Sequence, residues 1–121
     1  MVKITSVKAP VEASIDTSAL AMIFRSDAKA TIVDARTPDV DHGKRIPGAV
    51  NLHAKSSEDE IKSALESEDA LIVAYCANVH CPMAANMAKR LRDMGYENVL
   101  VYHEGLDGWT AAGFPSEEAK D

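Results

Sequence analysis

Two side chains in this sequence are suited to thiol chemistry, and they stand close together in Cys76-Ala77-Asn78-Val79-His80-Cys81. They are the only cysteines among 121 residues. A single bridge closing so short a loop would stabilise a fold little, so the pair points to chemistry or metal binding rather than scaffolding. Three readings compete. Cys76 is a thiolate that attacks sulfur or another electrophile; or Cys76, His80 and Cys81 ligate a metal, with a fourth ligand from His42, His53 or His103; or Cys76 is a buried apolar residue. Structural zinc draws on paired short ligand spacings that are lacking here, so no metal is expected, and no cofactor.

The elements that position Cys76 decide among these readings. Ala70-Leu71-Ile72-Val73-Ala74-Tyr75 is apolar throughout, as parallel strands covered on both faces are, and it ends at Cys76. Pro82 then suits the first turn of a helix. In that helix Met83, Met87, Leu91 and Met94 share one face, Lys89, Arg90 and Arg92 gather near the C-terminal end, and Gly95 closes it. The methionine stripe reads as core, with Met83 nearest the loop. Cys76 thus falls just past the carboxyl end of a central strand and before a helix, where open α/β sheets bind ligands. Unpartnered amides at the helix start, and its dipole, favour an anion on the Cys76 sulfur and lower its pKa. Converging loop amides would do the same for a persulfide or an oxyanion.

Around this centre the chain alternates strands and helices. Asp16 and Thr17 precede a short helix over Ser18–Phe24; Ala30–Ala35 is a β-branched strand; Thr37–Asn51, with Pro38, Gly43, Pro47 and Gly48, reads mostly as loop. Ser57 and Glu60 form a capping box for a helix to about Leu65. Asn98–Tyr102 is a further strand, and Leu106–Ala112 a last helix ended by Gly113 and Pro115. The order predicts an α/β fold with a mainly parallel sheet flanked by helices on both faces. Residues 1–14 are expected as an N-terminal arm or edge strand, 15–116 as one domain, and 117–121 as a short tail.

Composition removes several functions. Nineteen acidic against thirteen basic residues give a net charge of −6, with no basic stripe, so a nucleic-acid backbone is not the partner. No apolar run approaches the roughly 20 residues of a membrane helix, and Met1–Ser6 has no long apolar stretch. No membrane partner is expected, and a cytoplasmic location is.

Four stretches, in order over about residues 15 to 115, resemble the rhodanese family. They are Val33-Asp34-Ala35-Arg36; Arg45-Ile46-Pro47-Gly48-Ala49-Val50-Asn51-Leu52; Tyr75-Cys76; and Gly105-Leu106-Asp107-Gly108-Trp109 with Gly113-Phe114-Pro115. The resemblance implies a five-stranded parallel sheet, and a sulfurtransferase in which Cys76 takes a sulfane sulfur as a persulfide and passes it to a nucleophile. Its partners would be a small-molecule or protein sulfur donor and acceptor. The active-site loop would be Ala77, Asn78, Val79, His80 and Cys81. Asp34 and Arg36 look like supporting framework residues, and Trp109 like a core plug.

The loop departs from the family pattern. Val79 stands where the commonest loop has Gly, and a β-branched residue resists positive φ. Eighteen residues separate Cys76 from Gly95, about two more than the common pattern. Lys89 is the first Arg or Lys after Cys76, leaving His80 as the loop's one ionisable nitrogen, without a fixed charge. Thiosulfate, a dianion, is therefore expected to be a poor donor. A non-catalytic binding or redox-sensing module is the second reading. A thiolate phosphatase or arsenate reductase is the third, and the weakest, because that chemistry needs an Arg clamp in the loop. Cys81 is either filler or a resolving thiol that attacks a Cys76 sulfenate or persulfide.

Overall fold

Two strongly apolar runs, Ala30–Asp34 and Leu71–Tyr75, lie side by side in parallel at the middle of the sheet, as their two-sided hydrophobicity demands. The computed structural model describes residues 13–26 and 28–119; the sequence expectations for 1–12, 27 and 120–121 lie outside the described residues. In chain order the elements are β1 (Ala13–Ile15), α1 (Thr17–Arg25), β2 (Ala30–Asp34), β3 (Lys44–Arg45), β4 (Val50–Asn51), α2 (Glu58–Ala64), β5 (Leu71–Tyr75), α3 (Met83–Asp93), β6 (Val99–Tyr102), α4 (Gly105–Ala111) and β7 (Glu117–Glu118). The main sheet has five strands in the order β1-β6-β5-β2-β4, all parallel. β3 and β7 make a separate antiparallel pair.

Successive strand residues point to opposite faces, and the core divides accordingly. Val33, Ile72, Ala74, Val99 and Val101 pack with Ile61 and Leu65 from the α2 segment and with Ala84, Met87, Ala88 and Leu91 of α3. Ile32, Val73, Tyr75 and Tyr102 pack on the other side with Leu20 and Ala21 of α1 and Leu106 and Trp109 of α4. Trp109 is the expected core plug: it stacks on Phe114 with ring centroids 4.5 Å apart, and its Nε1 donates to the Pro115 carbonyl at 2.8 Å. Met83 and Met94 flank the first core, so the methionine stripe is core as well.

Two helices begin as their sequence signals direct. Asp16 Oδ1 accepts the Ala19 N–H at 2.8 Å, and Ser57 with Glu60 closes a reciprocal capping box. Pro82 sits one position earlier than expected, at the N-cap of α3 rather than in its first turn; lacking an N–H, proline fits either place. Gly95 (φ +105°) follows the end of α3, where its N–H and that of Tyr96 return to the Arg92 and Leu91 carbonyls. The stretch 37–51 is mostly loop but contains β3 and β4, two-residue strands too short to leave a periodic signal. Among the described residues no helix is long and apolar enough to cross a membrane.

Candidate functional site

The strand order fixes where a ligand can approach. From β2 the chain continues toward β4 on one side, and from β5 toward β6 on the other, so the sheet switches direction between β2 and β5. The crevice beyond their carboxyl ends is the place an open parallel sheet offers to a ligand. Cys76 follows β5 there. It is 2% exposed and packs in the core shared by Val33, Ala35, Met87 and Ala84.

The loop after Cys76 is shaped by α4 and by a turn of its own. The N–H groups of Leu106 and Asp107 donate to the Cys76 and Ala77 carbonyls at 3.0 and 2.9 Å. Gly105 makes this approach feasible: at φ +66°, a Cβ there would lie 2.5 Å from the Cys76 carbonyl oxygen. Because a trans peptide sets N–H opposite C=O, the Ala77 and Asn78 N–H groups point away from α4. Among the described residues, neither they nor the Val79 N–H meets an acceptor. Asn78 then turns the chain back, its side-chain oxygen accepting the His80 N–H at 3.0 Å and its carbonyl the Cys81 N–H at 3.2 Å. The turn needs no left-handed residue; among the described residues positive φ occurs at glycines alone, consistent with Val79 taking a path that glycine does not require. Val79 is 59% exposed at the tip, His80 is exposed, and Cys81 is half-buried against the α2–α3 core.

Cys76 and Cys81 are joined as a disulfide, with Cα atoms 6.2 Å apart. The α3 helix beyond it has no side-chain cap, so its first amides keep their donors for whatever occupies the loop. Among the described residues no group of three or more His, Cys, Asp or Glu side chains could hold a metal ion.

Asp34 and Arg36 are brought to the same edge of the sheet but not to the sulfur's face. Asp34 pairs in register with Tyr75, whose side chain belongs to the α1–α4 side, whereas Cys76 packs on the α2–α3 side. There Asp34 accepts bonds from Arg36 Nη2 at 2.7 Å, Arg45 Nη1 at 2.9 Å and the Tyr75 hydroxyl at 3.0 Å. The Tyr75 oxygen in turn accepts the Ile46 N–H, and Arg36 donates to the Lys44 carbonyl. Arg45 also holds Asp41 at 2.9 Å. Burial opposes the charge on Arg36, yet its bonds to Asp34 raise its pKa further above the ordinary value; burial and the Asp34 charge push the Tyr75 phenol far upward. Burial works against ionising Asp41 as well, but the Gly43 N–H and Arg45 hold it below the usual carboxylate range. These groups fasten the segment after β2 to the sheet.

Sequence reasoning missed a recess of about 110 Å³ between that segment and α3, lined by Ala35, Thr37, Ala54, Met83, Asn86, Met87 and Arg90. Met83 alone had been placed near the site. Arg90 brings a cation to the rim and donates to the His53 carbonyl at 3.2 Å. Its position two turns along α3 carries no local signal of this.

A family model described as the rhodanese-like domain matches residues 17–112. The HTH-type transcriptional regulator Rv0324 of Mycobacterium tuberculosis is 33% identical over 94 residues, covering 78% of this chain and 40% of the regulator. The chain thus spans about 40% of that relative's length. The solution structure of the rhodanese-like domain of the Anabaena protein Alr3790 superposes with a TM-score of 0.74 at 26% identity, over 89% of this chain and 80% of that one. The thiosulfate sulfurtransferase of Pseudomonas aeruginosa superposes with a TM-score of 0.71 at 21% identity, over 90% of this chain and 21% of that one. At that identity the likeness is one of fold.

Proposed function

The chain belongs to the rhodanese-like domain family, and on that premise we propose that it is a sulfurtransferase carrying sulfane sulfur as a persulfide on Cys76. The observation that carries this reading is the position of Cys76 at the β2/β5 crevice, followed by the Ala77, Asn78 and Val79 amides, which meet no acceptor among the described residues. With the disulfide reduced, the amides and the uncapped start of α3 favour the thiolate. The thiolate attacks the outer sulfur of a donor, the donor's remaining fragment leaves with the electron pair, and the same amides then hold the persulfide anion. A nucleophilic acceptor takes that sulfur and returns the thiolate.

The test is intact-mass analysis of the reduced protein after brief exposure to inorganic polysulfide without oxygen. The expected result is a gain of one sulfur in the wild type at early times and in Cys81→Ser throughout, and none in Cys76→Ser. A gain carried by Cys81 alone would overturn the assignment. Thiosulfate is proposed to be a poor donor, since the loop has no fixed cation; Val79→Arg or His80→Arg should improve its use. Efficient use by the wild type would show that amides suffice.

A second reading, a redox-sensing or binding module, is favoured by the disulfide itself, which closes the thiol, and by similarity to part of a transcriptional regulator. Failure of Cys76 to take sulfur from any donor, with reversible disulfide formation intact, would select it.

A further inference from the structure

We infer that Cys81 is the resolving thiol of this site, so that the domain releases its sulfur as sulfide and is reset by a dithiol reductant. The inference rests on the persulfide reading and specifies what becomes of the sulfur. Three observations carry it. The two cysteines are bonded in the folded chain, across a loop that the Asn78 turn folds back on itself. Their Cα separation of 6.2 Å lies inside the span a disulfide requires, so reduced Cys81 needs no rearrangement of the fold to meet Cys76. Finally, the two sulfurs differ in access, since Cys76 is buried at 2% exposure while Cys81 is half-buried at the loop's outer end.

The chemistry balances with one named co-reactant. The Cys81 thiolate attacks Sγ of the Cys76 persulfide; the Sγ–Cys81 bond forms, the bond to the outer sulfur breaks, and hydrosulfide leaves with the electron pair. The outer sulfur is reduced to hydrosulfide and the Cys81 sulfur is oxidised, while Cys76 Sγ exchanges one S–S bond for another. A thiolate of the reductant then attacks the sulfur of Cys81, the less buried of the two residues, expelling Cys76 as the thiolate that the amides stabilise, the better leaving group. The reductant's second thiolate attacks its own mixed-disulfide sulfur, frees Cys81 and leaves the reductant oxidised. The burial difference therefore sets the direction of reset, with external attack at Cys81.

The full chain is reduced, freed of reductant without oxygen, and mixed with one equivalent of inorganic polysulfide while intact mass is followed. The expected course in the wild type is a transient gain of one sulfur, decaying to a species two hydrogens lighter than the dithiol. Cys81→Ser should hold the added sulfur and lose that decay, with unchanged thermal unfolding as evidence that it is folded. In a second arm the disulfide form is treated with limiting glutathione and trapped, and peptide mapping should find the mixed disulfide on Cys81. A wild type that keeps a stable persulfide beside a free Cys81, or glutathione mapped to Cys76, would overturn the inference while leaving the proposed function standing. No sulfur uptake by either protein would overturn both.

Discussion

Two neighbouring strands end in loops of opposite construction. After β2, three charged side chains and a phenol are buried together, with Asp41 half-buried beside them: Asp34 alone accepts from Arg36, Arg45 and Tyr75. After β5 the loop has no ionic brace among the described residues. Its carbonyls at Cys76 and Ala77 are tied to α4, its following amides meet no acceptor among the described residues, and one covalent bond closes it. The first loop is fastened by charges that are costly to separate, and the second is held by a bond that a thiol can open. The contrast locates rigidity beside the proposed chemistry rather than within it.

The largest effect should come from breaking the first loop. Asp34→Asn takes from two buried guanidiniums the buried carboxylate they share, leaving them the half-buried Asp41, and should cost about 3–5 kcal/mol in urea unfolding, whereas Cys76→Ser in the reduced protein should change stability far less. Equal losses would erase the distinction between frame and site.

Gly105→Ala tests the tie between α4 and the second loop. The new methyl would meet the Cys76 carbonyl oxygen at 2.5 Å from a left-handed backbone, and should cost about 1–3 kcal/mol. It should also slow alkylation of Cys76 near neutral pH, because the loop amides lose their orientation. Unchanged alkylation would show that α4 does not orient them.

Reducing the disulfide should cost about 2 kcal/mol by the chain entropy of so short a loop, read from urea unfolding with and without dithiothreitol. A loss as large as that of Asp34→Asn would make the bond part of the frame.

The smallest effect is that of pH. Asp41 has a folded pKa below its unfolded one, so its stabilisation is present above the ordinary carboxylate range and lost as pH falls through the depressed value. Asp41→Asn should flatten this acid limb. Tyr75 has a raised folded pKa, so its contribution is intact below about pH 10 and lost as pH rises beyond. Stability-versus-pH curves of wild type, Asp41→Asn and Tyr75→Phe check both limbs; an alkaline limb that survives in Tyr75→Phe would assign it elsewhere, Tyr102 being the other phenol shifted upward.

Much of the fold was legible because its signals are local. The apolar runs at β2 and β5, the caps at Asp16 and Ser57 and the glycine after α3 each act within a few residues, and the structure keeps them. The short strands β3, β4 and β7 escaped notice because pairing with distant partners, not their own composition, makes them strands. At the candidate site residue type and strand order placed Cys76 and its loop at the end of a central strand, while the supporting role of Asp34 and Arg36 came from the family resemblance. The sequence left open whether Asp34 and Arg36 face the sulfur.

What the sequence by itself determined was an α/β domain with a cysteine at the end of a central strand, because hydrophobic period and strand–helix alternation are properties of consecutive residues. Only the tertiary structure decided that Arg36, Arg45 and Tyr75 converge on one carboxylate, since these groups come from three separate segments across a buried face. It also decided that Leu106 and Asp107, thirty residues on, set the direction of the loop amides. Cys81 belongs to both accounts. Its spacing from Cys76 permits a bond, and the turn at Asn78 makes one, because a five-residue separation leaves the meeting of two sulfurs to the path of the backbone between them.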